Sequence, residues 1–319
     1  MSQAILFDRD RVDRLDDFSG QPPRLSGSKL LWIDLDRESQ EDADRVAEAF
    51  ALDDETLHAL SRSAEKAALH DHGRYIHLTT FAPDEKSEGE LIALECVVGE
   101  NWVLTAHDRP IPVLDEFAAR ASGSGDTGSL DGPSFLAALL EWVLGAYSAV
   151  FERIEYQLER FDVEAMRGMG NAERDIERLV AMRIQVGNLR RALAAHRSAL
   201  VSLRHPELEA LGDEVSSERF HALLTRFEST MQEARDAREA IVGSFDVLIA
   251  RGGHRTNEIM KVLTLVSVML LPGALIAGVM GMNFKAGLFD NPSHFWIVTA
   301  VIAAFVPATI VIAKARNWI

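Results

Sequence analysis

The sequence has very little cysteine and a deficit of basic charge. Cys96 is the one cysteine among 319 residues. Within a single chain this excludes a disulfide framework and a zinc site built from several cysteines. Lys and Arg total 33 against 49 Asp and Glu, which gives a net charge of −16. Because a nucleic-acid partner requires a basic face, we expect no nucleic acid to bind and an acidic surface that suits cations.

Charge is absent from two long runs near the C-terminus. Residues 262–282 and 295–313 contain no Asp, Glu, His, Lys or Arg, and they are 21 and 19 residues long. A bilayer core of about 30 Å requires ~20 helical residues. We therefore predict two transmembrane helices at these positions. The 11 residues of the loop 284–294 join them into a hairpin.

The basic residues around these runs predict the orientation of the hairpin. Arg251, Arg255 and Lys261 precede the first run, Lys314 and Arg316 follow the second, and Lys285 alone lies in the loop. By the positive-inside rule both termini are cytoplasmic. The first ten residues are too charged for a secretory signal. We expect a multi-pass protein of the inner (plasma) membrane with residues 1–256, of net charge −18, in the cytoplasm.

The N-terminal part mixes short apolar runs with turn residues. β-Branched and aromatic content predicts strands at residues 29–34, 75–81, 91–98 and 101–106, a hairpin at Gly99-Glu100, and helices at 41–50 and 54–61. Ser122–Gly132 has the composition of a linker. The predicted fold class is an α+β membrane protein. It has a cytoplasmic α/β domain (1–132), a helical stalk (133–256) and a two-helix transmembrane domain (257–319).

The stalk begins with a helix at Pro133 and is interrupted at Gly168–Asn171 and Arg204–Pro206. From Phe220 onward, apolar residues alternate at spacings of three and four, which is typical of a heptad seam or of an ordinary core helix. The seam contains Phe220, Leu224, Phe227, Met231, Ala234, Ile241, Phe245 and Leu248, with Arg238 as its interruption. A helix from about Ser217 to Met282 follows. Gly252-Gly253 lies inside it, as a hinge or as a packing point.

The end of the first span has a chemistry suited to cations. Two spans cannot enclose a polar pathway, so a transporter of this topology must be an oligomer with a central axis. Helix C-termini carry about half a negative charge from unpaired carbonyls. Gly281 leaves its carbonyl open, Met282 follows, and Asn283 adds an amide oxygen. Because magnesium gives up its waters reluctantly, a ring of such oxygens suits a hydrated ion, with Asn283 as its ligand.

Several segments together resemble the CorA superfamily of divalent metal-cation transporters. They are Thr256–Thr264, Pro272, Gly281-Met-Asn-Phe284 and Lys314-Ala-Arg316-Asn-Trp318-Ile319, with Trp32–Leu35 and Val103–His107 as looser matches. The superfamily includes CorA magnesium/cobalt channels and ZntB zinc transporters. The resemblance implies a homopentamer whose first spans line a central pore.

The resemblance also assigns roles to residues. Pore-facing positions would be Asn257, Met260, Leu263, Leu271, Ala274, Gly278 and Asn283. Met260, Leu263 and Leu271 would form an apolar gate, Asn257 a polar ring, and Lys314 and Arg316 a basic collar. The divalent cation would be the transported ion and also a regulatory ligand at sites that the sequence does not match. No cofactor is implied.

The loop after the first span favours one branch of the superfamily. It lacks the Met-Pro-Glu segment usual in magnesium channels, has Asp290 as its one acid and gains Lys285. We therefore favour ZntB-like zinc or broad divalent transport, with a magnesium/cobalt channel as the alternative.

The spans hold no group for a proton relay. His70, His72 and His77 form either a zinc site or a solvated polar turn.

Two other classes of function fit the sequence less well. A membrane-anchored helical scaffold or sensor would also have a stalk and two spans, and only the stripe from Asn257 to Asn283 argues against it. An enzyme is not expected, because no nucleophile, phosphate-binding loop or metal-ligand spacing stands out.

Overall fold

The computed structural model describes most of the chain, in two compact units. The described residues are 3–8, 11–15, 29–37, 40–64, 66–84, 87, 89–123, 131–167, 171–203, 214–282 and 292–316. The first unit is Met1–Phe245 and the second is Asp246–Ile319. The first contains a sheet with helices and the second contains apolar helices, which confirms the predicted fold class.

Seven strands form one mixed sheet in the order β2-β1-β3-β7-β6-β5-β4. The strands are β1 (Gln3–Asp8), β2 (Arg11–Leu15), β3 (Lys29–Asp36), β4 (Ala68–Asp71), β5 (Ile76–Pro83), β6 (Leu91–Val98) and β7 (Trp102–His107). Among the strands in the described residues, β3 and β7 pair in parallel and the other neighbours are antiparallel. The four predicted strands are β3, β5, β6 and β7, and Gly99-Glu100 turns β6 into antiparallel β7. The prediction missed β1, β2 and β4.

The helices are α1 (Gln40–Phe50), α2 (Asp54–Ser61), α3 (Pro112–Gly123), α4 (Gly132–Met166), α5 (Ala172–Ser202), α6 (Glu214–Met280) and α7 (Pro292–Ala315). Asp131 caps α4 by accepting from the Ser134 amide at 2.7 Å, with Pro133 in the first turn. Asn171 caps α5 in the same way. The predicted break between α4 and α5 is confirmed, whereas α3 was not predicted.

The sheet of the first unit is buried on both faces. On one face Leu31, Ile33 and Leu104 pack with Val46 of α1 and Leu60 of α2. On the other face the Trp32 ring lies 5.8 Å from that of Phe117 in α3 and 5.4 Å from that of Phe135 in α4. Helices therefore cover both sides of the sheet, and the hydrophobic effect holds the layers together.

One charged group lies inside this core. Glu95 is fully buried, and its carboxylate is 3.1 Å from Nη2 of Arg37 and 2.9 Å from Nε2 of His77. The Thr79 hydroxyl donates to the same carboxylate at 2.6 Å. A buried carboxylate without such partners would be strongly destabilising. These contacts fix β5, β6 and the end of β3 to one another.

Three described helices are long and apolar enough to cross a membrane, and burial separates them. The most apolar stretch of α4 is 72% buried inside the chain, whereas those of α6 and α7 are 6% and 0% buried. The helix α4 is therefore a core helix of the first unit. The predicted spans fall on α6 and α7, whose apolar surfaces are left for lipid or for other copies of the chain.

The seam of α6 in the first unit differs from its prediction. Phe220, Phe227, Ala234 and Ile241 are buried as expected. Between them, however, the buried residues are Leu223, Thr230, Ala237 and Ser244 rather than Leu224, Met231, Arg238 and Phe245. Three of these side chains, those of Thr230, Ala237 and Ser244, are small, which permits a close contact with α4 at Thr230. The hydroxyl groups of Thr230 and Ser148 of α4 are 3.4 Å apart.

Candidate pore-lining face

The second unit contains the part of α6 that the sequence assigns to a pore. On one side this segment meets α7. A Cβ atom at Gly273 would lie 3.1 Å from Cγ2 of Ile302, so the glycine permits a close approach of the two helices. Leu265, Met269, Ile276 and Met280 are partly covered along the same side. At about 100° per residue these positions form one continuous contact stripe.

The predicted pore residues lie on the other side of α6. Asn257, Met260, Leu263, Leu271, Ala274 and Gly278 are all exposed. Leu271 is 66% exposed and Leu263 57%. At about 100° per residue these positions fall opposite the stripe that contacts α7. The fold therefore gathers them on one free apolar face, with Asn257 at its N-terminal end. Their role as pore lining stays a prediction.

Ser267 also belongs to this face, and the prediction omitted it. It lies four residues after Leu263 and four before Leu271, which places all three on one line along α6. The spacing of four residues on either side was enough to predict this position from the sequence. The hydroxyl of nearby Thr264 donates to the Met260 carbonyl at 2.7 Å, so it is satisfied within the helix. Ser267 thus adds a polar group between two apolar positions of the face.

The C-terminal end of α6 closes with two hydrogen bonds. The Gly281 amide donates to the Ala277 carbonyl at 2.9 Å, and the Met282 amide donates to the Val279 carbonyl at 3.2 Å. A Cβ atom at Gly281 would lie 3.3 Å from the Ala277 oxygen and 3.5 Å from that of Gly278. Glycine therefore avoids crowding the carbonyls of the last turn, where the helix is most electronegative. Asn283 and the loop residues 284–291 lie outside the described residues.

The two residues predicted as a basic collar diverge on α7. Lys314 and Arg316 are both exposed near its C-terminal end. Two helical positions apart, their side chains leave the helix in nearly opposite directions. Arg316 borders a pocket between α6 and α7, with Leu265 and Val268 on its α6 wall. Lys314 does not line this pocket, so the two residues serve different surfaces.

The histidines considered for zinc are engaged in the first unit. His77 Nε2 lies 2.9 Å from the buried Glu95 carboxylate. His72 Nδ1 lies 2.8 Å from the Asp53 carboxylate, and the His70 ring stacks on His77 at 6.0 Å. Among the described residues, no three His, Cys, Asp or Glu side chains are placed to hold a metal ion. The solvated-turn interpretation does not describe His77, which is buried in β5 against Glu95, whereas His70 is exposed on β4 and His72 lies in the turn that follows.

A group of acidic residues lies where α4 meets α6. Burial raises the pKa of Glu155, and the negative charges of Asp236, Glu233, Glu152 and Glu159 raise it further. Carboxylates of two helices therefore share one surface of the first unit. Such a surface raises the local concentration of cations.

A profile of the family described as CorA-like Mg²⁺ transporter protein matches residues 27–314. The cobalt/magnesium transport protein CorA of Methanocaldococcus jannaschii is 23% identical over 295 residues, covering 91% of this chain and 92% of that protein. The complete structure of the CorA magnesium transporter from that organism aligns with a TM-score of 0.79 at 21% identity, covering 100% of this chain and 99% of the other.

A more distant likeness involves the first unit. The ZntB cytoplasmic domain from Vibrio parahaemolyticus aligns with a TM-score of 0.58 at 11% identity, covering 79% of this chain and 98% of that domain. At such identities the likeness to either solved structure concerns the fold alone.

Proposed function

Because the chain belongs to the family of CorA-like Mg²⁺ transporter proteins, we propose that it carries divalent cations across a membrane through a pore lined by α6. The observation that supports this most is the free face of α6 opposite α7. Between Asn257 and Met282, no charged side chain lies on this face of α6. A single hairpin cannot enclose such a face, so several copies must surround a common axis. We propose a homopentamer, following the family resemblance.

The proposed pore works without charges in its wall. Gly281, Met282 and Asn283 form the outer mouth, where helix-end carbonyls and amide oxygens hold a hydrated cation. Met260, Leu263 and Leu271 form an apolar constriction that closes by excluding water. Asn257 marks its cytoplasmic end. Of the two residues predicted as a basic collar, Lys314 is the one we propose for that role, because Arg316 borders the pocket between α6 and α7. We place the protein in the inner membrane with both termini in the cytoplasm. The membrane potential then supplies about 2.3 kcal/mol per charge per 100 mV for cation import.

The proposal assigns a role to each part of the chain. Residues 1–132 and 133–256 form the cytoplasmic domain and stalk, and residues 257–319 form the transmembrane domain. The acidic surface at Glu155 lies on the cytoplasmic part and attracts cations there. Occupation of such a surface by the transported ion is a means of regulation.

Magnesium or cobalt is the cation we propose first. The relative named above is a cobalt/magnesium transport protein and aligns over 91% of this chain. Zinc is the second candidate. The loop with Lys285 and Asp290 favours it, since that loop lacks the acidic segment usual in magnesium channels. The fold likeness to the ZntB domain is compatible with either metal.

Uptake into proteoliposomes tests the proposal. The full-length protein is reconstituted around fluorescent indicators for magnesium, cobalt or zinc, with and without an inward-negative potential and a pH gradient. We expect potential-driven uptake that Asn283→Ala lowers at least tenfold, because the mouth loses its amide ligands. Asn291→Ala, a change of the same residue type in the same loop, is the matched control.

The outcomes separate the candidates. Full uptake by Asn283→Ala refutes the proposed mouth. Faster zinc than magnesium uptake assigns the second candidate. Intact, membrane-inserted oligomers without flux of any of the three cations favour a membrane-anchored scaffold or sensor instead.

A further inference from the structure

A pocket of about 210 Å³ lies between α6 and α7 in the second unit. Its lining consists of Leu265, Val268, Thr309, Ile312, Ala313 and Arg316. The Thr309 hydroxyl donates to the Phe305 carbonyl at 2.7 Å, so it is already satisfied within its own helix. The wall is therefore apolar apart from Arg316. The pore face of α6 contributes no residue to it.

One end of this pocket is basic. Arg316, directly after α7, follows Ile312 by one turn, and its amide donates to the Ile312 carbonyl at 3.0 Å. On α6, Lys261 precedes Leu265 by one turn. Side chains one turn apart share a face of the helix. The helices run in opposite directions, because Gly273 meets Ile302 while Leu265 shares the pocket with Ala313. Lys261 and Arg316 therefore lie at the same end of the pocket, and both are exposed.

Few acidic groups compete for these two cations. The helix α7 contains no Asp or Glu. On α6, residues 259–280 contain none either, and Glu258 is the acidic residue three positions before Lys261. In the described part of the chain, no ion pair joins Glu258 to Lys261. The end of the pocket thus carries a net positive charge at the level where the first span begins.

We propose that this pocket binds one anionic phospholipid of the surrounding bilayer, with an acyl chain between α6 and α7 and the phosphate at Arg316 and Lys261. Charge complementarity selects this occupant. A guanidinium binds phosphate through two parallel hydrogen bonds, and anionic lipids are enriched in the cytoplasmic leaflet. At about 30 Å³ for a water-sized group, the volume holds roughly seven methylene-sized units. This lipid site rests on the membrane hairpin of the proposed function, but it does not depend on which ion is transported.

The test counts lipids retained by the full-length protein. Protein in nanodiscs of phosphatidylcholine and phosphatidylglycerol in equal amounts is released into the mass spectrometer, and bound lipids are identified. We expect phosphatidylglycerol to be enriched. Arg316→Gln and Lys261→Gln should each lower the enrichment about fivefold, since each removes one charge near the headgroup. Lys314→Gln, which removes the same charge at the same end of α7 on another face, should leave it unchanged.

A second variant tests the apolar part of the site. Val268 lies at the rim and is 48% exposed, so Val268→Trp fills the pocket without touching the contact of Gly273 with Ile302. This variant should lose retained phosphatidylglycerol and phosphatidylcholine alike. Unchanged retention in Val268→Trp overturns the proposal.

Two further results would also overturn it. An equal loss of enrichment in Lys314→Gln would mean that diffuse surface charge attracts the lipid. A disulfide between copies through Val268→Cys would mean that a second chain fills the pocket. Cation uptake measured on the same preparations distinguishes the two proposals. Lipid enrichment without uptake refutes the transport function alone, whereas uptake without enrichment refutes the lipid site alone.

Discussion

At the scale of single residues, His196 of α5 performs a task that a further strand would normally perform. The strand β4 pairs with β5 only as far as Thr79. Beyond it, the Phe81 amide donates to His196 Nε2 at 3.0 Å, and the Phe81 carbonyl accepts from the Tyr147 hydroxyl at 2.9 Å. The His196 ring also stacks on Phe81 at 5.9 Å. Side chains of α4 and α5 therefore satisfy the edge of the sheet.

The burial of His196 predicts a dependence of stability on pH. Burial lowers its pKa to about 4, below the value of about 6.5 for an unfolded histidine. Between these values the unfolded chain binds the extra proton. The stabilisation is therefore complete above about pH 6.5 and is lost as the pH falls through 4, by about 3 kcal/mol.

Thermal unfolding of the full-length protein in detergent, followed by circular dichroism between pH 7 and pH 4, measures this effect. His196→Gln retains an acceptor for the Phe81 amide but cannot titrate in this range, so its stability should fall less with pH. His221→Gln, at an exposed position of α6, is the matched control. Equal pH dependence in His196→Gln and the native chain would contradict the assignment.

At the scale of elements, Gly252-Gly253 is the anomaly of α6. The helix continues through both residues. A Cβ atom at either position would meet no atom within 4 Å. The described part of the chain therefore offers no packing reason for glycine, which leaves a hinge or a contact with another copy. We favour the hinge, because a glycine pair costs a helix about 2 kcal/mol relative to alanine and so eases bending.

The double substitution Gly252→Ala with Gly253→Ala tests the hinge. Alanine should raise helix stability by about 2 kcal/mol and slow cation uptake severalfold, since opening would then require bending of a stiffer helix. Uptake in proteoliposomes and the melting temperature are measured together, with Gly243→Ala as the control at another open helical position. A higher melting temperature with unchanged uptake would argue against a hinge. Loss of assembly would indicate a contact between copies.

At the scale of the whole molecule, the pore proposal makes an oligomer obligatory, and cysteine chemistry can detect it. Cys96 is the one native cysteine and is fully buried, so an introduced thiol reports alone. Leu271→Cys should form disulfides between copies under mild oxidation, because the free face of α6 surrounds the axis. Val266→Cys is the control, since it is also exposed but lies about 140° from Leu271 around the helix axis.

The readout is the dimer band on non-reducing gels of membrane-embedded protein. A strong band for Leu271→Cys and a weak one for Val266→Cys support an axis lined by this face. The reverse pattern would place another face of α6 at the axis and would refute the assignment of the pore residues.

The sequence predicted some elements well and others poorly, for identifiable reasons. The strands β3, β5, β6 and β7 are rich in β-branched, aromatic and leucine residues, so local composition identified them. The strand β2 (Arg11–Leu15) has three charged residues among its five and lies at the sheet edge, so its composition gave no strand signal. The seam of α6 was partly wrong because hydrophobicity favours Met231, whereas the close approach of α4 favours the smaller Thr230.

The sequence by itself determined the two apolar C-terminal helices, the α/β N-terminal part and the resemblance to CorA transporters. These features depend on local properties, because a charge-free run of ~20 residues has the length and composition of a membrane span. Only the tertiary structure decided that α4, also long and apolar, is buried in the first unit. It likewise decided which side of α6 meets α7 and which side is free. Those outcomes depend on contacts between residues far apart in the chain, such as Gly273 with Ile302, which no local pattern encodes.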